Sequence, residues 1–261
     1  MLISIIIPTY NRASYLLETV NSILEQTYSK FEIIIVSDGS TDNSKDLITK
    51  LNHSSIQFIE LDRNYGYPAK ARNEGIKVSK GDYIAFCDDD DLWEKDKLEK
   101  QINIVNCGYN FVFTNYKFLE ESKSFMKSLY LKYILSFLIN RISIKISFIL
   151  LSITNPIVNS SVLVSRILLK NKNFNESKLF RASEDYQLWI QIFDMSTPFY
   201  LKQELVKYRL HENNISSDFI ANLKRCIIVF DNFAPININQ KLLKKFGVFF
   251  YSFRIFLKKI F

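Results

Sequence analysis

Glycine is scarce in this chain: six residues in 261, at positions 39, 66, 75, 81, 108 and 247, with no two spaced as G-x-G. That excludes a dinucleotide-binding fingerprint, and without a G-K-S or G-K-T sequence there is no phosphate loop of the Walker type. No G-x-S-x-G occurs either, so the nucleophile elbow of serine hydrolases is absent. Two histidines, His53 and His211, cannot build a three-histidine zinc centre. Cys87, Cys107 and Cys226 have no metal-ligand spacing and leave one thiol over from any pairing, which points to a reducing, cytoplasmic compartment. Long apolar runs are missing too. The longest uncharged stretch, between Lys145 and Arg166, contains Asn155, Pro156 and Asn159 and would make a poor membrane-spanning helix. Residues 1–8 lack the basic n-region of a signal peptide and read as a first strand.

The formal net charge is +7, and residues 201–261 hold eleven Lys or Arg against four acids, which accounts for all of it. The first 200 residues therefore balance, and no nucleic-acid surface is expected there. Over 240–261, Leu242, Leu243, Phe246, Phe249, Phe250, Phe253, Phe256, Leu257 and Ile260 recur at helical spacing with Lys241, Lys244, Lys245, Lys258 and Lys259 largely beside them, the pattern of a basic amphipathic helix. A second amphipathic segment, 129–153, is apolar but broken by Lys132, Arg141 and Lys145. Both suit peripheral contact with the inner face of an anionic membrane. Packing on the rest of the chain, or on a second copy in a homo-oligomer, is the alternative.

What is present is an ordinary globular composition, 48% hydrophobic and 23% charged, long enough for one large domain or two small ones. Near-continuous apolar runs at 2–7, 31–36, 56–61 and 83–87 read as strands. They alternate with helical patterns over 12–27, 42–51, from Pro68, and over 94–106, with Asn11 placed to cap the first. Such alternation predicts an α/β fold with a parallel sheet. The pattern changes near residue 115. Further on, 155–164 reads as a loop entering a strand, Glu184-Asp185 opens a helix, and 205–211 alternates as a strand delivering Arg209 and His211 to its end.

The fourth run ends abruptly in Asp88-Asp89-Asp90-Asp91. On an extended backbone Asp88 and Asp90 would point one way and Asp89 and Asp91 the other. One such pair can hold a hard divalent cation through oxygen. The competing expectation is a solvated acidic loop with Asp91 as N-cap before Glu94. Together with Thr9-Tyr10-Asn11-Arg12, Asp38 and Arg72, these carboxylates suit a nucleoside diphosphate. Asp38 can accept from a base N–H or a ribose hydroxyl, a cation on Asp90 can neutralise the phosphates, and Arg72 can add a charge-assisted contact.

Pro8-Thr9-Tyr10-Asn11-Arg12, Ser37-Asp38-Gly39-Ser40-Thr41-Asp42, Ala71-Arg72-Asn73-Glu74-Gly75 and Gly81-Asp82-Tyr83 running into Asp88–Asp91 closely resemble glycosyltransferase family 2 in residues, order and spacing. The resemblance is strong over 1–115 and continues more thinly through Asn159-Ser160-Ser161, Glu184-Asp185-Tyr186-Gln187-Leu188-Trp189 and Tyr208-Arg209-Leu210-His211-Glu212-Asn213. It implies a GT-A fold, a Rossmann-like, mostly parallel sheet flanked by helices with a C-terminal helical extension. It also implies inverting transfer from a nucleotide-sugar, commonly a UDP-sugar, with Mg²⁺ or Mn²⁺. Carried over by position, Pro8, Thr9, Tyr10 and Asp38 would frame the base and ribose, and Arg72, Asp88 and Asp89 would contact the donor. Asp90 would ligate the metal, with His211 near it, and Asp185 would be the catalytic base, Glu184 being its rival. The expected division is a nucleotide-sugar-binding half at 1–115, an acceptor and catalytic-base half at 116–215, and the basic extension at 216–261. A glycan or lipid-linked acceptor of bacterial surface polysaccharide is expected. Trp93 and Trp189 are expected to pack rather than to hold sugar. The alternatives are a sugar nucleotidyltransferase, which typically wants a glycine-rich N-terminal phosphate loop, and an inactive sugar-binding subunit.

Overall fold

The structure, a computed structural model, describes residues 1–119, 155, 157–193, 195–196, 198–211, 219–235 and 238–260. The expected amphipathic segment 129–153 lies outside them. Among the described residues the chain forms one sheet of eight strands, ordered β3-β2-β1-β4-β7-β6-β8-β5. The strands are β1 Ile3–Thr9, β2 Phe31–Ser37, β3 Ile56–Glu60, β4 Tyr83–Phe86, β5 Leu92–Trp93, β6 Phe111–Leu119, β7 Val162–Ser165 and β8 Phe199–Arg209. The helices are α1 Ala13–Leu24, α2 Ser44–Lys50, α3 Ala69–Val78, α4 Lys97–Asn106, α5 Glu184–Phe193, α6 Phe219–Asp231 and α7 Ile238–Ile260.

The first four strands make the parallel sheet that the apolar runs predict: β1 pairs parallel with both β2 and β4, and β2 with β3. Ile3, Ile5, Ile6 and Ile7 are fully buried, as are Ile33 to Val36, because helices cover both faces and no polar alternation is required. One face packs Leu16, Val20 and Ile23 of α1 and Leu98, Ile102 and Val105 of α4. The other packs Ala71 of α3 against Ile34 and Val36. Beyond β4 the sheet becomes mixed, since β7 runs antiparallel to both β4 and β6 while β8 returns parallel to β6.

Three local expectations are corrected. Asn11 does not cap α1. It takes a left-handed conformation (φ 52°), which asparagine tolerates, and its Oδ1 accepts from the Thr41 and Asp42 N–H groups. Asp42 supplies the cap from across the turn by accepting the Ala13 N–H at 3.0 Å. The helix expected from 94 begins at Lys97, because Leu92 and Trp93 are drawn off to pair with β8. Asp91 is accordingly no N-cap, and it is fully buried.

The chain divides into two compact units. One comprises 1–120, 158–174 and 192–209 and holds the sheet; the other comprises 121–157, 175–191 and 210–261. Within the second, α6 and α7 lie against each other. Gly247 makes this approach possible, since a Cβ there would stand 2.6 Å from the Phe230 ring. Phe230 and Tyr251 stack at 6.0 Å, and Tyr186 of α5 meets Phe230 edge-on at 5.8 Å.

Candidate active site

The register aligns the carboxyl ends of β1, β2 and β4: Thr9 lies opposite Ser37, and Ile6 opposite Phe86. In open α/β sheets this is the edge where ligands bind. Pro8 and Thr9 are buried there and Tyr10 is exposed. Asp38 follows β2, and its N–H donates to the Thr9 carbonyl at 2.8 Å. Its carboxylate accepts the backbone N–H groups of Tyr65 (3.0 and 3.1 Å) and Gly66 (3.1 Å), so the side chain clamps the 62–68 loop. Burial pushes the Asp38 pKa up, with those two N–H groups pulling the other way. Gly39 is obligatory in this clamp: its φ is 70°, and a Cβ would stand 2.7 Å from the Arg63 carbonyl carbon.

The four aspartates do not continue an extended strand. The chain turns at 88–91, with the Asp91 N–H donating to the Asp88 carbonyl, so the expected two-and-two alternation fails. Like charges strung along a strand end would repel. The turn instead sets them against cationic and hydrogen-bonding partners from other elements. Arg12 bonds Asp89 at 3.1 Å and also Asp90. Thr9 donates its hydroxyl to Asp89 at 2.7 Å. Arg72, buried and 5.2 Å above the Phe174 ring, donates to Asp88 at 2.7 Å. Asp91 is met by the Ser160 hydroxyl and the Arg209 N–H. Burial, then the charge of Asp90, raises the Asp89 pKa to about 7 against the pull of Arg12, and burial lifts Asp91 well above the carboxylate range. For Arg12, burial alone would lower the pKa, but Asp89 and Asp90 outweigh it and the net shift is upward. Asp88 is the most accessible of the four, its side chain about a third exposed.

A second ring of residues fixes this turn. The Ser160 hydroxyl accepts the Asp88 N–H at 3.0 Å, and the Asn159 amide donates to Asp88 at 3.3 Å. Thr19 of α1 donates its hydroxyl to the Asp89 and Asp91 carbonyls. Pairing of Leu92 with Lys207 brings Arg209 beside the turn, where its Nε donates to the Asp90 carbonyl and its Nη2 reaches Glu18. Trp93 and Trp189 are buried, as packing residues would be. Sequence reasoning missed Thr19, Phe174, Glu18 and the anchoring use of Asn73, which exchanges two hydrogen bonds of 2.9 Å with the Phe174 backbone. The faint signal was composition: a threonine inside an otherwise apolar helix face.

In the second unit, Asp185 sits in the first turn of α5, half-buried, with Asn155 donating to it at 3.4 Å and the Tyr186 N–H at 2.7 Å. Glu184 is buried and accepts the Ser183 N–H at 3.1 Å, so it serves the helix start. The two acids differ in burial: Glu184 is buried, and Asp185 is half-buried. His211 lies two residues beyond the end of β8. Among the described residues no three His, Cys, Asp or Glu side chains are arranged as a metal cage.

The sequence model for "Glycosyl transferase family 2" matches residues 4–163. The chain is 29% identical over 254 residues to an uncharacterized glycosyltransferase of Rickettsia bellii, covering 94% of this chain and 35% of that protein's length, so it spans about a third of that relative. It is 30% identical over 227 residues to the Escherichia coli UDP-Glc:alpha-D-GlcNAc-diphosphoundecaprenol beta-1,3-glucosyltransferase WfgD, covering 86% of this chain and 83% of WfgD. Among solved structures, S. aureus TarS in complex with UDP-GlcNAc superposes with a TM-score of 0.74 at 19% identity, covering 97% of this chain and 73% of that one. The Pyrobaculum calidifontis mannosyltransferase PcManGT, in complex with GDP-Man and Mn²⁺, gives 0.69 at 17% identity over 97% of this chain and 71% of that one. These likenesses carry the fold, which is GT-A.

Proposed function

The chain belongs to glycosyltransferase family 2, and from that premise we propose that it is an inverting glycosyltransferase. It would move a sugar from a nucleoside diphosphate, by preference UDP, to a hydroxyl of a lipid-linked glycan in bacterial surface polysaccharide synthesis. The observation that carries the reading is the aspartate turn at the carboxyl edge of β4, where four carboxylates crowd beside Arg12 and Arg72. WfgD, whose donor is UDP-Glc and whose acceptor is a diphosphoundecaprenol-linked sugar, supports the donor and acceptor classes.

Pro8, Thr9, Tyr10 and Asp38 would frame the base and ribose, with Asp38 Oδ1 keeping a lone pair beyond its bond to the Tyr65 N–H. Arg72, Asp88 and Asp89 would border the diphosphate. A hard divalent cation fits the donor set chemically. Mg²⁺ and Mn²⁺ take one or two carboxylates and complete their shells with water and phosphate oxygens, so no full protein cage is required. Asp90 would hold it, aided by Asp88, and His211 is proposed as a further ligand. When bound, the cation supplies Lewis-acid stabilisation of the leaving diphosphate. Asp185 takes the proton of the acceptor hydroxyl as that oxygen attacks the anomeric carbon on the face opposite the diphosphate. The bond from that carbon to the diphosphate oxygen breaks, its electron pair leaves with the nucleoside diphosphate, and the configuration inverts. Work on a lipid-linked acceptor would suit a cytoplasmic chain held peripherally at the inner face of the cell membrane.

Nucleotide release should be measured over a panel of UDP-, GDP- and dTDP-sugars, with and without Mn²⁺. Asp185→Asn is expected to lower transfer by about 10²–10⁴-fold while donor binding persists, and Asp90→Ala to remove the metal dependence of donor binding. Absence of release from every donor would reject the transferase. Normal turnover by the Asp185 variant would move the base elsewhere.

A further inference from the structure

We propose that one face of α7 is a docking surface for an anionic lipid bilayer. The helix spans 23 residues, Ile238–Ile260, without a single Asp or Glu and with six basic residues. Its inner side is taken, since Gly247 and Tyr251 are buried against Phe230 of α6. On the other side Leu242, Phe246, Phe249, Phe253 and Phe256 follow one another in steps of four, three, four and three, which keeps them on one stripe. That stripe stands open: Phe246 is 62% and Phe249 69% exposed. Half of the large exposed apolar side chains among the described residues fall on this one helix. Exposed Lys241 and Lys245 run along one edge of it. No helix among the described residues is long and apolar enough to cross a membrane, so α7 would lie along the surface.

Charge selects the occupant. A second copy docked through the same face would set two acid-free, lysine-edged helices against each other. A bilayer rich in anionic headgroups takes phenylalanines into its acyl boundary and lysines at the phosphate level, satisfying both features of the face at once. The inference draws its purpose from the lipid-linked acceptor proposed above, but it is tested without donor or acceptor.

The full chain should be sedimented with vesicles of phosphatidylcholine alone and of phosphatidylcholine with phosphatidylglycerol. Binding is expected only to the second. The double variant Phe249→Ser, Phe253→Ser should weaken it about tenfold or more. Lys241→Gln with Lys245→Gln should weaken it about 30-fold, two basic groups near such a surface each contributing about fivefold. Both variants should keep the parent's circular dichroism and melting midpoint, which ties the loss to the face and not to unfolding. Failure of the parent to bind phosphatidylglycerol vesicles would overturn the proposal, as would parent-like binding by both variants. So would a concentration-dependent dimer that the phenylalanine variant abolishes. Transfer to a short water-soluble acceptor separates the two readings: if it persists while vesicle binding fails, only the docking surface falls, and if vesicle binding holds while the parent transfers nothing, only the transferase falls.

Discussion

Arg12 is the residue on which the aspartate turn depends most directly, because one guanidinium meets both Asp89 and Asp90. Removing it leaves a buried carboxylate without its counter-charge. Breaking a wholly buried pair costs about 3–5 kcal/mol, and with a quarter of the Arg12 side chain exposed the expected loss for Arg12→Gln is nearer ~2 kcal/mol. The same vacancy of charge could be filled from outside. If Asp88 and Asp90 accept a divalent ion, Mn²⁺ should raise the melting midpoint of Arg12→Gln by more than it raises that of the parent. An equal or smaller rise would count against the metal assignment. Glu184 and Asp185 offer a second contrast at this scale. Glu184→Gln weakens the acceptor for the Ser183 N–H and should cost about 1 kcal/mol of stability while sparing most of the transfer rate. The Asp185 substitution should do the reverse.

The short segments around the turn act through a buried polar core. Lys97 of α4 is fully buried, 3.7 Å from the centre of the Trp93 ring, and donates to Gln101 at 2.8 Å. Gln101 in turn donates to the Ser161 carbonyl, and Trp93 to that of Ser160, so these three side chains seat the 159–161 turn that bonds Asp88 and Asp91. Burial pushes the Lys97 pKa down to about 7. An unfolded lysine titrates near 10.5, so between pH 7 and 10.5 the unfolded chain binds the extra proton and stability rises with pH. The urea midpoint of the parent should therefore climb from pH 7 to pH 9 more than that of Lys97→Met, and parallel profiles would refute the assignment. This core also marks the limit of what the sequence discloses. β1, β2 and β4 are legible because short apolar runs that give way to polar residues at Thr9, Ser37 and Asp88 permit little else. The direction in which Asp88–Asp91 point is not, because it is settled by Ser160, 72 residues from Asp88, and by Arg209, 118 residues from Asp91. Asn11 yields its expected capping role to Asp42 for the same reason: the local preference is real, but the partner that wins lies across the fold.

At the scale of the whole chain, the net charge and most of the candidate site are segregated in sequence, Arg209 and His211 excepted. Residues 1–200, with the aspartate turn and Asp185, are electrically balanced, while 201–261 carry all of the net +7. A surplus serving the proposed diphosphate contacts would be expected around the carboxyl edge of β1, β2 and β4. Here that edge is dominated by carboxylates, and its arginines are already engaged by them. The tail's net charge can act at a distance, and such action is screened by salt, with a Debye length of about 10 Å at 0.1 M ionic strength falling to about 3 Å at 1 M. Binding of the full chain to phosphatidylglycerol vesicles should therefore decline steeply between those ionic strengths. Transfer to a water-soluble acceptor, governed by short contacts in a partly buried site, should change much less over the same range. Were both activities to fall together, the basic tail would have to be serving the donor site, and the separation of attachment from catalysis along this chain would be wrong.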